Sequence, residues 1–214
     1  MGKVGIRKMT LPTYTDDAST ESFDAPDVAA AIAQAKHRAE NLFETRALLC
    51  AEAVMLSLNE TFEGPLTEAE AIQLGSTFCM GVGGAGCMCG ALAGGVAAVG
   101  LLTANGTIAT SNQQARAYGR TLHDSFVSCH RSSCCRVLSR RVKDDPAKHF
   151  AQCTMLTGDA TERAARIIIE SRGGHVSPVP PHKVLGSLRV GVLRACHMVT
   201  GCLNRVISHA FARS

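Results

Sequence analysis

With 214 residues, 46 % of them hydrophobic, the chain can bury a sizeable core, which excludes a disordered protein. Aromatic residues make up 4 % and tryptophan is absent, so the core must be built from Ala, Leu, Val, Ile, Met and Cys, small side chains that suit closely packed helices. The net charge of +4 is unevenly placed: six of the 22 basic residues (Arg172, Lys183, Arg189, Arg194, Arg205 and Arg213) follow Glu170, the last acidic one, leaving 16 basic against 18 acidic residues before it. An acidic body with a basic tail predicts a tail that docks on something, and no nucleic-acid partner is expected.

In chain order, residues 1–26 read as an unstructured arm. A helix starts near Asp27, after Pro26, and a second apolar stripe, Leu49, Cys50, Ala53, Val54, Ser57 and Leu58, recurs at helical spacing with Cys50 in mid-helix. Gly64-Pro65 breaks the chain, and Thr67 with Glu70 forms a capping box opening a short helix. The stretch from Phe78 to Gly90 is a glycine-rich loop ending in Cys87-Met88-Cys89. A very apolar helix, Ala91 to Ala104, follows, with Asn105-Gly106 as a turn. Ser111 with Gln114 reads as another capping box, opening a helix with Ala115, Tyr118, Leu122 and Phe126 on one face. Cys129 to Arg136 interrupts the pattern, with Ser132 or Ser133 capping a new helix.

Asp145-Pro146 places an acid at a cap and proline in the first turn, so a helix containing Cys153 starts there. A separate helix from Asp159 to Ser171 stops at Gly173-Gly174. Residues 27–172 thus form one helical domain. Residues 173–181 are a stiff Pro/Gly linker. Residues 182–214 are a basic amphipathic helix whose apolar stripe runs from Leu185 to Ala210. No segment alternates at period two, so the expected fold class is all-α: a helical bundle with a Gly/Cys-rich cluster-binding loop.

Two motifs mislead. No charged residue occurs between Ile72 and Ala115, but the densest apolar part, Ala91 to Leu102, is far shorter than the ~20 residues a membrane span needs. No span is expected. Gly81-Val82-Gly83-Gly84-Ala85-Gly86 matches the dinucleotide fingerprint, but no strand pair frames it and no acid follows near Thr103 to Thr107. These glycines, with Gly90, instead let the backbone wrap closely around an inorganic ligand.

Ten cysteines dominate the chemistry. No apolar run follows Lys3, Arg7 and Lys8, so a cytoplasmic setting is expected, in which thiols serve metal or redox chemistry rather than disulfides. Soft thiolates bind iron–sulfur clusters and zinc when several converge. Cys87 and Cys89 lie at a helix start, where N–H groups stabilise thiolates, and Cys134-Cys135 lies at another. Cys50 and Cys153 sit on helices that can point one thiol inward each. Cys196 reads as packing on the tail stripe; Cys79, Cys129 and Cys202 stay undecided. His130 and His149 are placed to hydrogen-bond behind the cysteines. There is no C-x-x-C-H, so no covalent haem is expected.

The chain resembles the redox-associated family named for its C-GCAxxG-C-C cysteine pattern. The resemblance rests on Cys50 in Cys-Ala-Glu-Ala-Val, Gly86 to Gly94, Cys135 in Cys-Cys-Arg-Val-Leu and Cys153 in His-Phe-Ala-Gln-Cys, and covers residues 40 to 170. It implies redox activity. Through its similarity to the body of split-Soret cytochromes, it also implies a dimer with an iron–sulfur centre, while the haem function is not carried over. Together the two lines of reading point to an iron–sulfur electron-transfer or accessory redox protein. Its ligands would come from Cys87 and Cys89, then Cys135, Cys153, Cys50 and Cys134. The alternatives are a dithiol oxidoreductase or metalloid-handling enzyme and a structural zinc protein. The tail is expected to mediate self-association or docking to an acidic redox partner.

Overall fold

A computed structural model describes residues 26–105 and 112–176. The proposed tail helix, Cys196, Cys202, Ser111 and nearly all of the N-terminal arm lie outside the described residues. The helices are α1 (Pro26–Glu44), α2 (Cys50–Thr61), α3 (Glu68–Ser76), α5 (Gly90–Thr103), α6 (Gln113–His130), α7 (Cys135–Ser139) and α8 (Pro146–Ser171), with a single turn, α4 (Cys79–Val82), ahead of α5. The fold is all-α as expected; among the described residues there is no strand, only an isolated antiparallel bridge between Met88 and Cys134.

Helices α1, α2, α5 and α8 form the bundle, with α6 laid over α5 and α8 and α3 over α2. Helix α5 is the centre. It is apolar all round, so it is buried on several sides rather than along one stripe, with Leu92 and Val99 fully buried. Its small residues set the spacing: a Cβ at Gly94 would stand 2.8 Å from the Ala51 carbonyl oxygen on α2. Val54, Met55 and Leu58 from α2, Leu122 and Phe126 from α6 and Ile168 from α8 complete the core.

Local signals set several helix ends. The Thr67 hydroxyl accepts from the Glu70 N–H at 3.3 Å and the Glu70 carboxylate accepts from the Thr67 N–H at 2.8 Å, closing the capping box. The Asp145 carboxylate accepts from the Lys148 N–H at 3.1 Å, with Pro146 first in α8.

Helix α6 starts at Gln113 with Asn112 as its cap, and the box read from Ser111 falls outside the described residues. Two expectations need correction. Helix α8 is one piece of 26 residues rather than two. Gly158 sits inside it, with the Glu40 side chain of α1 lying over the space that its missing side chain leaves. Cys50 is the first residue of α2, not a mid-helix residue. Beyond α8, the Gly174 N–H returns to the Ile169 carbonyl at 3.0 Å and Val176 packs on the core.

Candidate functional site

Four elements converge on one cavity of about 410 Å³. Cys50 enters from the first turn of α2, Cys89 from the cap of α5, Cys135 from the first residue of α7 and Cys153 from the second turn of α8. Phe43, Leu49, Met80, Leu138 and Leu156 supply apolar wall, and His149, Gln152, Ser139 and Arg136 are its polar lining residues.

Local chain geometry decides which cysteine of each pair enters. The bridge at Met88 and Cys134 is fixed by the Cys89 N–H to the Ser133 carbonyl at 2.7 Å and the Cys135 N–H to the Cys87 carbonyl at 2.5 Å. Cys134 is extended, with its N–H held by the Ser132 hydroxyl at 3.0 Å, so adjacent side chains diverge. Cys135 faces the cavity, while the Cys134 thiol donates to the Gly86 carbonyl at 3.3 Å. Cys87 is exposed and Cys89 is buried. Neither Cys87 nor Cys134 lines the cavity.

The glycine loop forms one wall. Met80, Gly81, Val82 and Gly83 all have left-handed backbone, with φ of 58°, 73°, 61° and 62°. For Met80 and the β-branched Val82 this is a strained conformation. A Cβ on Gly81 would stand 2.7 Å from the Cys135 Cβ, so the glycine lets the loop close over α7. Gly84, Gly86 and Gly90 line the cavity, whereas Gly83 does not. Gly90 has a specific duty: a Cβ there would stand 2.6 Å from the Cys50 Sγ.

Cys79, undecided by sequence, is a fifth thiol in contact with the site. It is buried, its thiol donates to the Gly75 carbonyl at 3.6 Å, and it lies near enough to hydrogen-bond a Cys50 thiolate. The bond to Cys50, helped by backbone N–H groups at Met80 and Ala51, outweighs burial and brings Cys50 down to about 7, while the same bond and burial push the Cys79 thiol up. Burial pushes Cys89 up to about 11 and Cys153 up to about 12, with the Cys50 charge adding to both. Burial and then the Cys50 charge also raise Cys135. In the metal-free site Cys50 is therefore the most readily ionised of the four cavity thiols, and the other three hold their protons more tightly. His149 lines the cavity. His130 is turned elsewhere, 2.8 Å from Asp159 and tilted against the Phe126 ring at 4.5 Å.

Among the described residues no three His, Cys, Asp or Glu side chains come close enough together for one metal ion. Four soft thiols around one largely apolar cavity are compatible with a thiolate-held metal cofactor. No described helix is long and apolar enough to cross a membrane.

The family model described as "Putative redox-active protein (C_GCAxxG_C_C)" matches residues 48–167, a span containing all four cavity cysteines. No curated protein and no solved structure matches the chain.

Proposed function

The chain belongs to the C_GCAxxG_C_C family of redox-associated proteins, and on that footing we propose that Cys50, Cys89, Cys135 and Cys153 hold an iron–sulfur cluster serving electron transfer or an accessory redox role. The supporting observation is that these four thiols, from four separate elements, line one largely apolar cavity. When bound, such a cluster supplies reversible one-electron transfer, with a potential tuned by burial and by hydrogen bonds to its sulfurs. The chain's own part is to exclude water through Phe43, Leu138 and Leu156, and to keep room beside Cys50 through Gly90.

Protein made anaerobically with iron and sulfide should carry acid-labile sulfide and at least two irons per centre, and should be brown. Protein that takes up only zinc, or no metal, refutes this reading. The residues outside the described body enter as part of the same proposal. The basic, apolar-striped segment 182–214 would join two chains into a homodimer or dock an acidic redox partner, in the cytoplasm, where free thiols persist. Truncation after Val176 should then leave the body folded but lower its mass in solution or abolish partner binding; an unchanged mass and partner refute it.

One observation favours a second reading, a dithiol oxidoreductase. Cys79 lies near enough to Cys50 for a hydrogen bond between their side chains. Transfer of two electrons and two protons from this pair to a substrate disulfide would leave one protein disulfide and two substrate thiols. A colourless protein that reduces a small disulfide, and loses that activity as Cys79→Ala, would establish it.

A further inference from the structure

Basic side chains on the body are mostly engaged. Lys36 and Arg166 meet Glu162, Arg38 meets Glu60, Arg120 meets Asp124 and Arg163 meets Asp159. Arg46 lies over the Phe150 ring and Arg172 over Phe62, and Arg136 donates to the Ala85 carbonyl at 2.7 Å. Arg131, Arg140 and Arg141 meet no carboxylate, carbonyl or ring among the described residues, and all three line a single pocket of about 350 Å³ with His130 and Ser132.

That coincidence needs a cause. Three exposed arginines lining one pocket without a carboxylate partner leave their guanidinium donors open to a ligand. The nearby acids do not take up these donors: Asp159 is shared by His130 and Arg163, while Asp144 and Asp145 face Lys143 and Lys148. A further sign of a built feature is the backbone of Arg131, which caps α6 in the left-handed region at φ 65°. Arg140 and Arg141 arrive from the end of α7, so a helix only five residues long brings the three together.

We propose that this pocket is an oxyanion site for a phosphate-bearing ligand. Guanidinium forks match the oxygens of a tetrahedral dianion two at a time, and several forks on one ligand select phosphate over a lone carboxylate. The Ser132 oxygen accepts from the Cys134 N–H at 3.0 Å, which leaves its own O–H to donate. The site also has a position: Leu138 and Gln152 line both this pocket and the thiol cavity, so α7 forms a wall common to both. A phosphate-bearing ligand held by the arginines would therefore lie beside the thiols. The inference does not depend on what the thiols hold.

The test is calorimetric titration of the full-length protein with inorganic phosphate, pyrophosphate and ADP at fixed low ionic strength. Saturable binding is expected. The Arg140→Gln/Arg141→Gln double variant should lose about tenfold or more in affinity, since a charge-assisted hydrogen bond is worth roughly that factor. Arg131→Asn, which tolerates the left-handed backbone, should lose a comparable factor, and Arg166→Gln on the far ion pair should lose nothing. Retention of the unfolding temperature in each variant shows that the change is local. ADP binding more tightly than pyrophosphate marks a nucleotide as the source, and equal affinity marks the phosphate alone; both support the site. Absence of saturable binding overturns the proposal, as does an affinity unchanged in the double variant, which would place the anion on the basic segment beyond residue 181.

Discussion

Replacing Gly90 and Gly100 separately by alanine tests the geometry of the thiol site against its own helix. Both lie in α5, and on intrinsic propensity either change should stabilise the helix by up to about 1 kcal/mol. At Gly100 nothing stands within 4 Å of the new Cβ, so the full gain is expected, about 2–4 °C in Tm for a domain of this size. At Gly90 the new carbon would stand 2.6 Å from the Cys50 sulfur and 2.8 Å from the Phe78 carbonyl oxygen. Non-bonded atoms settle at about 3.5–4.0 Å, so the sulfur would have to retreat by about 1 Å into a wall that also carries Cys79. Overpacking of this kind costs about 1–3 kcal/mol, more than propensity returns. Gly90→Ala should therefore lower Tm by a few degrees while Gly100→Ala raises it, read by thermal and urea unfolding of metal-free protein. Gly90→Ala should also lose the capacity to hold iron and sulfide. If Gly90→Ala stabilises the protein as much as Gly100→Ala, Cys50 does not approach α5 as described and the site geometry fails with it.

In metal-free protein the rate of Cys50 alkylation should rise with pH through a midpoint of about 7. Because the Cys79 thiol is the largest cause of that lowering, Cys79→Ala should move the midpoint upward; peptide mapping after iodoacetamide pulses measures both, and identical midpoints refute the contact. Cys89→Ser should strip iron from anaerobically reconstituted protein whereas Cys87→Ser should leave its iron content intact; equal losses would put the exposed thiol back in the site. Lys36, then Arg166, hold the Glu162 carboxyl below its ordinary value of 4.5. Such a group stabilises the fold above its unfolded pKa and loses that contribution as pH falls through its folded one. The wild type should therefore lose more stability than Lys36→Met as pH drops below about 4.5, and parallel urea-unfolding profiles would remove the ion pair from the account.

The left-handed turn from Met80 to Gly83 belongs to the same picture. Its glycines serve different ends: Gly81 admits the Cys135 side chain, while Gly83 and Gly84 face open space. Met80 and Val82 hold left-handed backbone that glycine would adopt more easily, and both are exposed. Side chains kept there at a conformational cost place apolar surface at the rim of the thiol cavity, which Met80 lines.

What the amino-acid sequence determines by itself is whatever depends on neighbours a few residues away. The all-helical class follows from 3.6-residue periodicity without alternation. The Thr67–Glu70 box and the Asp145–Pro146 start form as read because a cap closes within one turn. The cysteine pattern, local in four separate places, is enough for the family. Tertiary structure decides what depends on distant partners. The helix start read at Asp159 does not occur: Gly158 sits inside α8, where the Glu40 side chain of α1 packs over it. In Cys87-Met88-Cys89 and Cys134-Cys135, composition cannot distinguish the members. The bridge between Met88 and Cys134, joining segments 46 residues apart, turns Cys89 and Cys135 toward the cavity and leaves Cys87 and Cys134 off it. Cys79 acquires its contact with Cys50, and Cys50 its lowered pKa, because α4 folds back onto the first turn of α2. Sequence spacing carries no record of that juxtaposition, because the intervening glycines allow many paths and packing selects one.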